Sequence, residues 1–227
     1  MSRYRLISFK TCPWVQRAAI VLREKRVEFE FVHIEPGNRP DWFKAISPHN
    51  KVPVLQIDET VALFESNAIS EYLDEAIGER LHPEDPIARA INRAWSDFIP
   101  SFFAATGALV GAKTQEDLAK ARDALATIFG RIEEALTRQS SSGPFFNGAR
   151  YALVDTGYAP FLQRHLIVER LSGETISTAY PRLRQWAEAL TARETTHSFP
   201  PEEFEAMYKN GLKARGGLIL QDALSEA

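Results

Sequence analysis

The sequence is poor in the residues that would build several kinds of protein. Its 227 residues include one cysteine, Cys12. A single cysteine excludes an internal disulfide framework and every multi-cysteine zinc site. A lone oxidisable thiol fits a reducing compartment, and a cytoplasmic location is expected. No apolar run reaches the roughly 20 residues needed to span a bilayer, so no membrane partner is expected. The start, Met-Ser-Arg-Tyr-Arg, leads straight into a strand-like run and lacks the long apolar stretch of a secretory signal. Neither charge sign dominates. There are 27 Lys and Arg against 30 Asp and Glu, interspersed, for a formal net charge of -3. Without a basic tract, nucleic acid is not an expected partner. His33, His49, His82, His165 and His197 are scattered without metal-ligand spacing, so no metal is expected. None of them is an obvious general base.

What is present divides near residues 79 to 86. The first part alternates strand and helix signals. Tyr4 to Phe9 reads as a strand, and Pro13 opens a helix to about Lys25 with Val15, Ala18, Ala19 and Leu22 on one face. Glu28 to Ile34 is a second strand, followed by a short helical piece around Trp42 to Ile46. Val54 to Ile57 and Val61 to Phe64 are two strands with hairpin-like separation, and Ser66 to Ile77 has apolar residues at helical spacing. The order βαβαββα implies a small mixed sheet with a helix layer over it. Glu79 to Pro86, with two prolines and several charges, reads as a linker. Beyond it everything reads as helical: Ile87 to Val110 with a bend expected at Pro100, Glu116 to Gln139, Val154 to Leu171, the stretch around Leu183 to Leu190, and Glu202 to Leu212. The expected domains are therefore residues 1–79, a linker at 80–86, and an all-helical domain at 87–227.

Three places carry candidate chemistry. Cys12 lies where a strand hands over to a helix, and the unpaired N–H groups of a helix start stabilise a thiolate. The competing reading is an inert cysteine buried as a small hydrophobe. Val15 occupies the position that a Cys-x-x-Cys pair would need, so no intramolecular dithiol cycle is possible. A redox cycle through Cys12 therefore requires an external thiol, for which glutathione is the obvious small cellular candidate. The second place is Lys51-Val52-Pro53-Val54, with a proline entering a strand in either the cis or the trans form. The third is Glu65-Ser66 at the start of a helix, where Ser66 serves as a plain cap or the helix start receives a carboxylate.

Four segments occur in order: Thr11-Cys12-Pro13-Trp14-Val15-Gln16-Arg17, Asn50-Lys51-Val52-Pro53-Val54-Leu55, Phe64-Glu65-Ser66-Asn67-Ala68-Ile69, and Glu71-Tyr72-Leu73-Asp74-Glu75. Together they resemble the cytosolic glutathione S-transferase superfamily, and within it the omega-like, cysteine-type subgroup. The resemblance covers nearly the whole chain. It implies a thioredoxin-like first domain, an all-α second domain, glutathione as co-substrate, a homodimer, and Cys12 as the catalytic residue. It also implies that Val52, just before a cis Pro53, pairs its backbone with the cysteinyl part of glutathione. Glu65 would take the γ-glutamyl ammonium and Ser66 the γ-glutamyl carboxylate. Arg39, with Lys51 as the competing choice, would take the glycyl carboxylate, and Phe9 and Trp14 would line the mouth of the site.

The implied activity is that of a thiol transferase or reductase working through a Cys12–glutathione mixed disulfide, including reductive deglutathionylation (a lyase outcome) and dehydroascorbate reduction. Conjugation of glutathione to small electrophiles and a non-catalytic binding or regulatory role are the alternatives. One position departs from the pattern. Ala152 stands three residues before Asp155 where a Ser or Thr is usual, which leaves the reciprocal capping box incomplete. The second substrate is expected against the first long helix of the second domain, with Phe98, Phe102 and Tyr208 as pocket candidates. For Phe98, Phe102 and Trp186 the competing reading is ordinary helical core.

Overall fold

The computed structural model describes residues 3–138 and 142–221. The chain divides into two compact units, Met1–Arg89 and Ala90–Ala227, so the division falls within the first turn of a long helix rather than in the segment before it.

The first unit is built on strands β1 (Tyr4–Ser8), β2 (Phe29–His33), β3 (Val54–Ile57) and β4 (Val61–Phe64), with helices α1 (Pro13–Glu24), α2 (Asp41–Ile46) and α3 (Ser66–Ala76). The sheet order is β2-β1-β3-β4. β1 runs parallel to β2, with Leu6 opposite Phe31, and antiparallel to β3, with Leu6 opposite Leu55; β3 and β4 form an antiparallel hairpin. This mixed sheet is the one expected from the order of the elements. α1 is buried more completely than its single apolar face suggested, since every residue from Val15 to Leu22 is buried. Ile7, Ile34, Phe43 and Val54 form a cluster against which Phe9, Ile46 and Val52 pack.

The segment read as a linker is pinned to this unit at its start. Asp74 has no exposed surface and pairs with the nearly buried Lys25 at 2.9 Å. Its carboxylate also accepts from Leu81 N at 2.6 Å and His82 N at 3.1 Å, while the His82 ring meets Glu71 at 2.9 Å. A buried pair whose remaining lone pairs are satisfied in this way resists separation, because losing one partner strands a charge in the interior.

The second unit contains most of α4 (Pro86–Gly111), then α5 (Gln115–Thr137), α6 (Leu153–Ser172), α7 (Pro181–Thr191) and α8 (Pro201–Arg215), with short 3₁₀ turns at Ile176–Ala179, Glu194–Thr196 and Leu218–Leu220. α4 is continuous through Pro100. The expected end of α5 at Gln139 lies outside the described residues. The core of this unit is aromatic. Phe102 packs on Phe129, Tyr158 and Phe161 with ring centroids 5.9, 6.0 and 6.5 Å away, and Tyr158 packs on Trp186 at 4.9 Å. Asp155 sits inside it with no exposed surface. It accepts from Phe146 N at 2.9 Å, Ala152 N at 2.7 Å and Trp186 Nε1 at 2.6 Å. The Asp155 half of the capping box is thus made, and Ala152 has no side-chain acceptor to return it. Burial pushes the Asp155 carboxyl up to about 6, against the pull of its three donors. Among the described residues, no helix is long and apolar enough to cross a membrane.

Candidate active site

The first unit brings most of the sequence-derived candidates onto neighbouring loops and helix starts. β1 ends at Ser8, and the chain turns through Phe9 to Cys12, whose N–H donates to Phe9 O at 3.1 Å. Cys12 is the N-cap of α1, with extended dihedrals, and Pro13 fills the first helical position. Proline fits there because its φ suits the helix and its missing N–H has no intrahelical partner to lose. The helix therefore starts beside Cys12, whose thiol is half-buried and in no disulfide. Cys12 is neither wholly enclosed nor fully exposed.

The turn before β3 is closed by Ser47. Its hydroxyl accepts from Lys51 N and donates to Lys51 O, both at 2.9 Å. Asn50 takes a positive φ of 51° in this turn and donates its N–H to Ser47 O at 2.8 Å. The Val52-Pro53 peptide is cis. Pro53 is buried, Val52 is half-buried on the sheet core, and the Lys51 side chain is exposed.

At the start of α3 the structure reassigns the cap. Glu65, not Ser66, is the N-cap, at φ 66° and ψ 119°, and Ser66 is the first helical residue. The left-handed backbone at Glu65 ends the strand and leaves its side chain exposed, while Ser66 is buried. Ser66 is held from α1. Arg17 is only 4% exposed, and its Nη1 donates to Ser66 Oγ at 3.1 Å while Nη2 donates to Asn67 Oδ1 at 3.1 Å. The same guanidinium lies 5.8 Å from the Trp14 ring centroid. One cation thus ties the helix that starts beside Cys12 to the helix that starts at Ser66.

Arg39 stacks its guanidinium over the Phe9 ring, 5.7 Å from the centroid, and its buried Nε has no hydrogen-bond partner among the described residues. His49 Nδ1 lies 3.0 Å from Glu65 Oε1. Arg17, Asn67, Ser47 and His49 were given no role from the sequence. Arg17 carried a readable signal, since a cation stands beside Gln16 near the start of a run that is apolar from Ala18 to Leu22. His49 carried none, because its partner is set by the turn and not by spacing.

The second unit separates the remaining candidates. Phe102 and Trp186 are fully buried in the aromatic core. Phe98 is half-buried, with its ring edge-on to Trp95 at 5.4 Å. Tyr208 is half-buried against Val110, Val168 and Leu212, with Arg164 5.7 Å above its ring, and burial raises its phenol above the ordinary range. Among the described residues, no group of three or more His, Cys, Asp or Glu is placed to hold a metal.

A thioredoxin-like unit followed by an all-α unit is the glutathione transferase fold. Family comparison agrees. Residues 6–81 match the glutathione S-transferase N-terminal domain, and residues 115–189 match the glutathione S-transferase C-terminal domain. The chain is 31% identical to glutathione S-transferase omega-1 of Mus musculus over 82% of its own length and 75% of that protein. The structure of glutathione transferase Omega 3C from Trametes versicolor superposes with a TM-score of 0.78, at 25% identity, over 94% of this chain and 93% of that one. Rice GST1, solved in complex with glutathione, gives a TM-score of 0.81 at 28% identity, over 94% and 97%. The chain belongs to the cytosolic glutathione transferase superfamily and is closely related to its omega, cysteine-type subgroup. It is an enzyme of that family.

Proposed function

We propose that this enzyme is a glutathione-dependent thiol transferase that forms and resolves a mixed disulfide at Cys12. The observation that carries the reading is the placement of the only cysteine, half-exposed, at the N-cap of α1. In the first step the Cys12 thiolate attacks the glutathione sulfur of a mixed disulfide. A Cys12–glutathione bond forms, and the substrate leaves as a thiolate that takes up a proton. In the second step a glutathione thiolate attacks the glutathione sulfur on Cys12, giving oxidised glutathione and the free Cys12 thiolate. The net change is a thiol–disulfide exchange in which one glutathione thiol is consumed and the other half of the oxidised glutathione arrives on the substrate. The absence of a second cysteine makes the external thiol obligatory.

The residues around Cys12 suit a zwitterionic tripeptide. Val52 would pair its backbone with the cysteinyl part, beside the cis Pro53. Glu65 would take the γ-glutamyl ammonium, and Ser66 with the α3 amides the γ-glutamyl carboxylate. Phe9 and Trp14 would flank the thiol. For the glycyl carboxylate we favour Arg39 over Lys51, because Arg39 is held over Phe9 and has a buried donor with no partner among the described residues. An Arg39→Ala variant should weaken glutathione binding about tenfold, as loss of a charge-assisted hydrogen bond implies, with Lys51→Ala close to wild type. The reverse order would assign the role to Lys51. The substrates that fit are glutathionylated proteins or small mixed disulfides, dehydroascorbate, and α-glutathionyl ketones, for which the enzyme would act as a reductive deglutathionylase.

Conjugation is the second reading, since the relatives carry the transferase name. It needs glutathione itself as the attacking thiolate, whereas a neighbouring cysteine thiolate exchanges with disulfide substrates as the nucleophile in its place. Assaying one preparation for glutathione-dependent disulfide reduction and for conjugation to an aryl halide separates the two. Dominant reduction supports the proposal, and dominant conjugation refutes it. The family expectation of a cytoplasmic homodimer belongs to the same proposal, and the exposed apolar side chains of Val61, Phe64 and Ile91 support the assembly. Sedimentation at a dimer mass would bear it out.

A further inference from the structure

The turn that carries Lys51 and Val52 also carries an imidazole that reaches the start of α3. His49 Nδ1 lies 3.0 Å from Glu65 Oε1. The same ring packs edge-on to Phe64, with centroids 5.3 Å apart and planes at 72°. An ionised carboxylate only accepts hydrogen bonds, so Nδ1 carries the proton in this contact. The turn behind the imidazole is itself fixed by the Ser47–Lys51 hydrogen bonds, so the donor is presented from a defined backbone.

Glu65 needs such a hold. It is 60% exposed at the side chain, and a glutamate in solvent divides its population among many rotamers. Its left-handed backbone fixes where the side chain starts but not where the carboxylate ends. The His49 contact engages Oε1 and selects one carboxylate position, in which Oε2 can accept from an ammonium.

We propose that His49 is a positioning residue for glutathione recognition, holding the Glu65 carboxylate in the position that receives the γ-glutamyl ammonium. This rests on the role given to Glu65 under the proposed function. His49 acts through the carboxylate and does not touch the reacting sulfur.

The test uses S-methylglutathione, which keeps the γ-glutamyl ammonium and cannot form a disulfide, titrated calorimetrically into the 227-residue chain. The variants are His49→Ala, His49→Asn, Glu65→Gln and the double variant His49→Ala/Glu65→Gln. The Asn amide nitrogen falls close to the position of imidazole Nδ1. His49→Ala should weaken binding about three- to fivefold, the upper range for an exposed charge contact. His49→Asn should restore wild-type affinity, and His49→Ala should add nothing once Glu65→Gln is present. Wild-type affinity in His49→Ala while Glu65→Gln binds weakly would overturn the inference and leave the Glu65 role standing. An Asn variant as weak as the Ala variant would overturn it too, since the donor would not matter. Wild-type affinity in Glu65→Gln would remove the Glu65 role itself, and the inference with it.

Discussion

Arg17 Nη1 donates to Ser66 Oγ across 3.1 Å, from an almost wholly buried side chain. Because Ser66 Oγ already accepts from this cation, its own O–H is directed elsewhere and can donate to a carboxylate. The guanidinium also places a full positive charge behind the first turn of α3, adding to the partial charge of the helix start. Replacing Arg17 by Met keeps most of the volume and removes the fork. The expected result is a stability loss on the order of 2–3 kcal/mol in urea unfolding, together with weaker binding of S-methylglutathione. Arg17→Lys should restore little of either, because one ammonium cannot serve Ser66 and Asn67 with the same geometry. Wild-type stability in Arg17→Met would show that the pair is structurally idle.

Asp155 makes a pH-dependent contribution with a definite sign. Its carboxyl is raised to about 6 in the folded protein, above the unfolded value of about 3.9. The folded state therefore binds the proton more tightly. Stability from this group is fully present below about pH 4 and is lost as pH rises through about 6. The swing is on the order of 2–3 kcal/mol. Measuring unfolding of wild type against Asp155→Asn from pH 4 to pH 7 isolates it from other carboxylates. The difference between the two proteins should shift against wild type as pH rises, and a constant difference would contradict the assignment.

The two aromatic candidates on α4 should part company on truncation. Phe102→Ala opens a cavity beside Phe129, Tyr158 and Phe161 and should cost about 3–5 kcal/mol. Phe98 retains exposed surface, so Phe98→Ala should cost far less stability and instead change kcat/KM among disulfide substrates of different bulk. Thermal unfolding and a substrate series read both effects. Equal destabilisation with unchanged selectivity would place both residues in the core.

The strands and helices of the first unit were legible because their signals are local. Two short apolar-rich runs on either side of the polar Asp58-Glu59 turn give β3 and β4, and Pro13 and the helical spacing of apolar residues give α1. The cap of α3 was not, since Ser66 is the better cap residue by type and the positive φ at Glu65 places the cap, and so the helix start, one position earlier. The linker reading missed the Asp74 carboxylate, which gathers Lys25, Leu81 and His82 from separate places in the sequence. Such contacts depend on tertiary packing that no periodicity encodes. The same holds at the candidate site. Cys12, Glu65 and Ser66 stand out by motif, whereas Arg17 and His49 gain their positions only when α1 and the turn before β3 are brought against α3.

The central claim is that Cys12 carries the chemistry, and the most direct measurement compares wild type with Cys12→Ser in glutathione-dependent reduction of a small mixed disulfide, with intact mass recorded on the same samples. The account predicts that activity vanishes in Cys12→Ser while S-methylglutathione still binds, and that a glutathione adduct appears on wild type alone. Equal activity in the two proteins, or an adduct on neither, would contradict it.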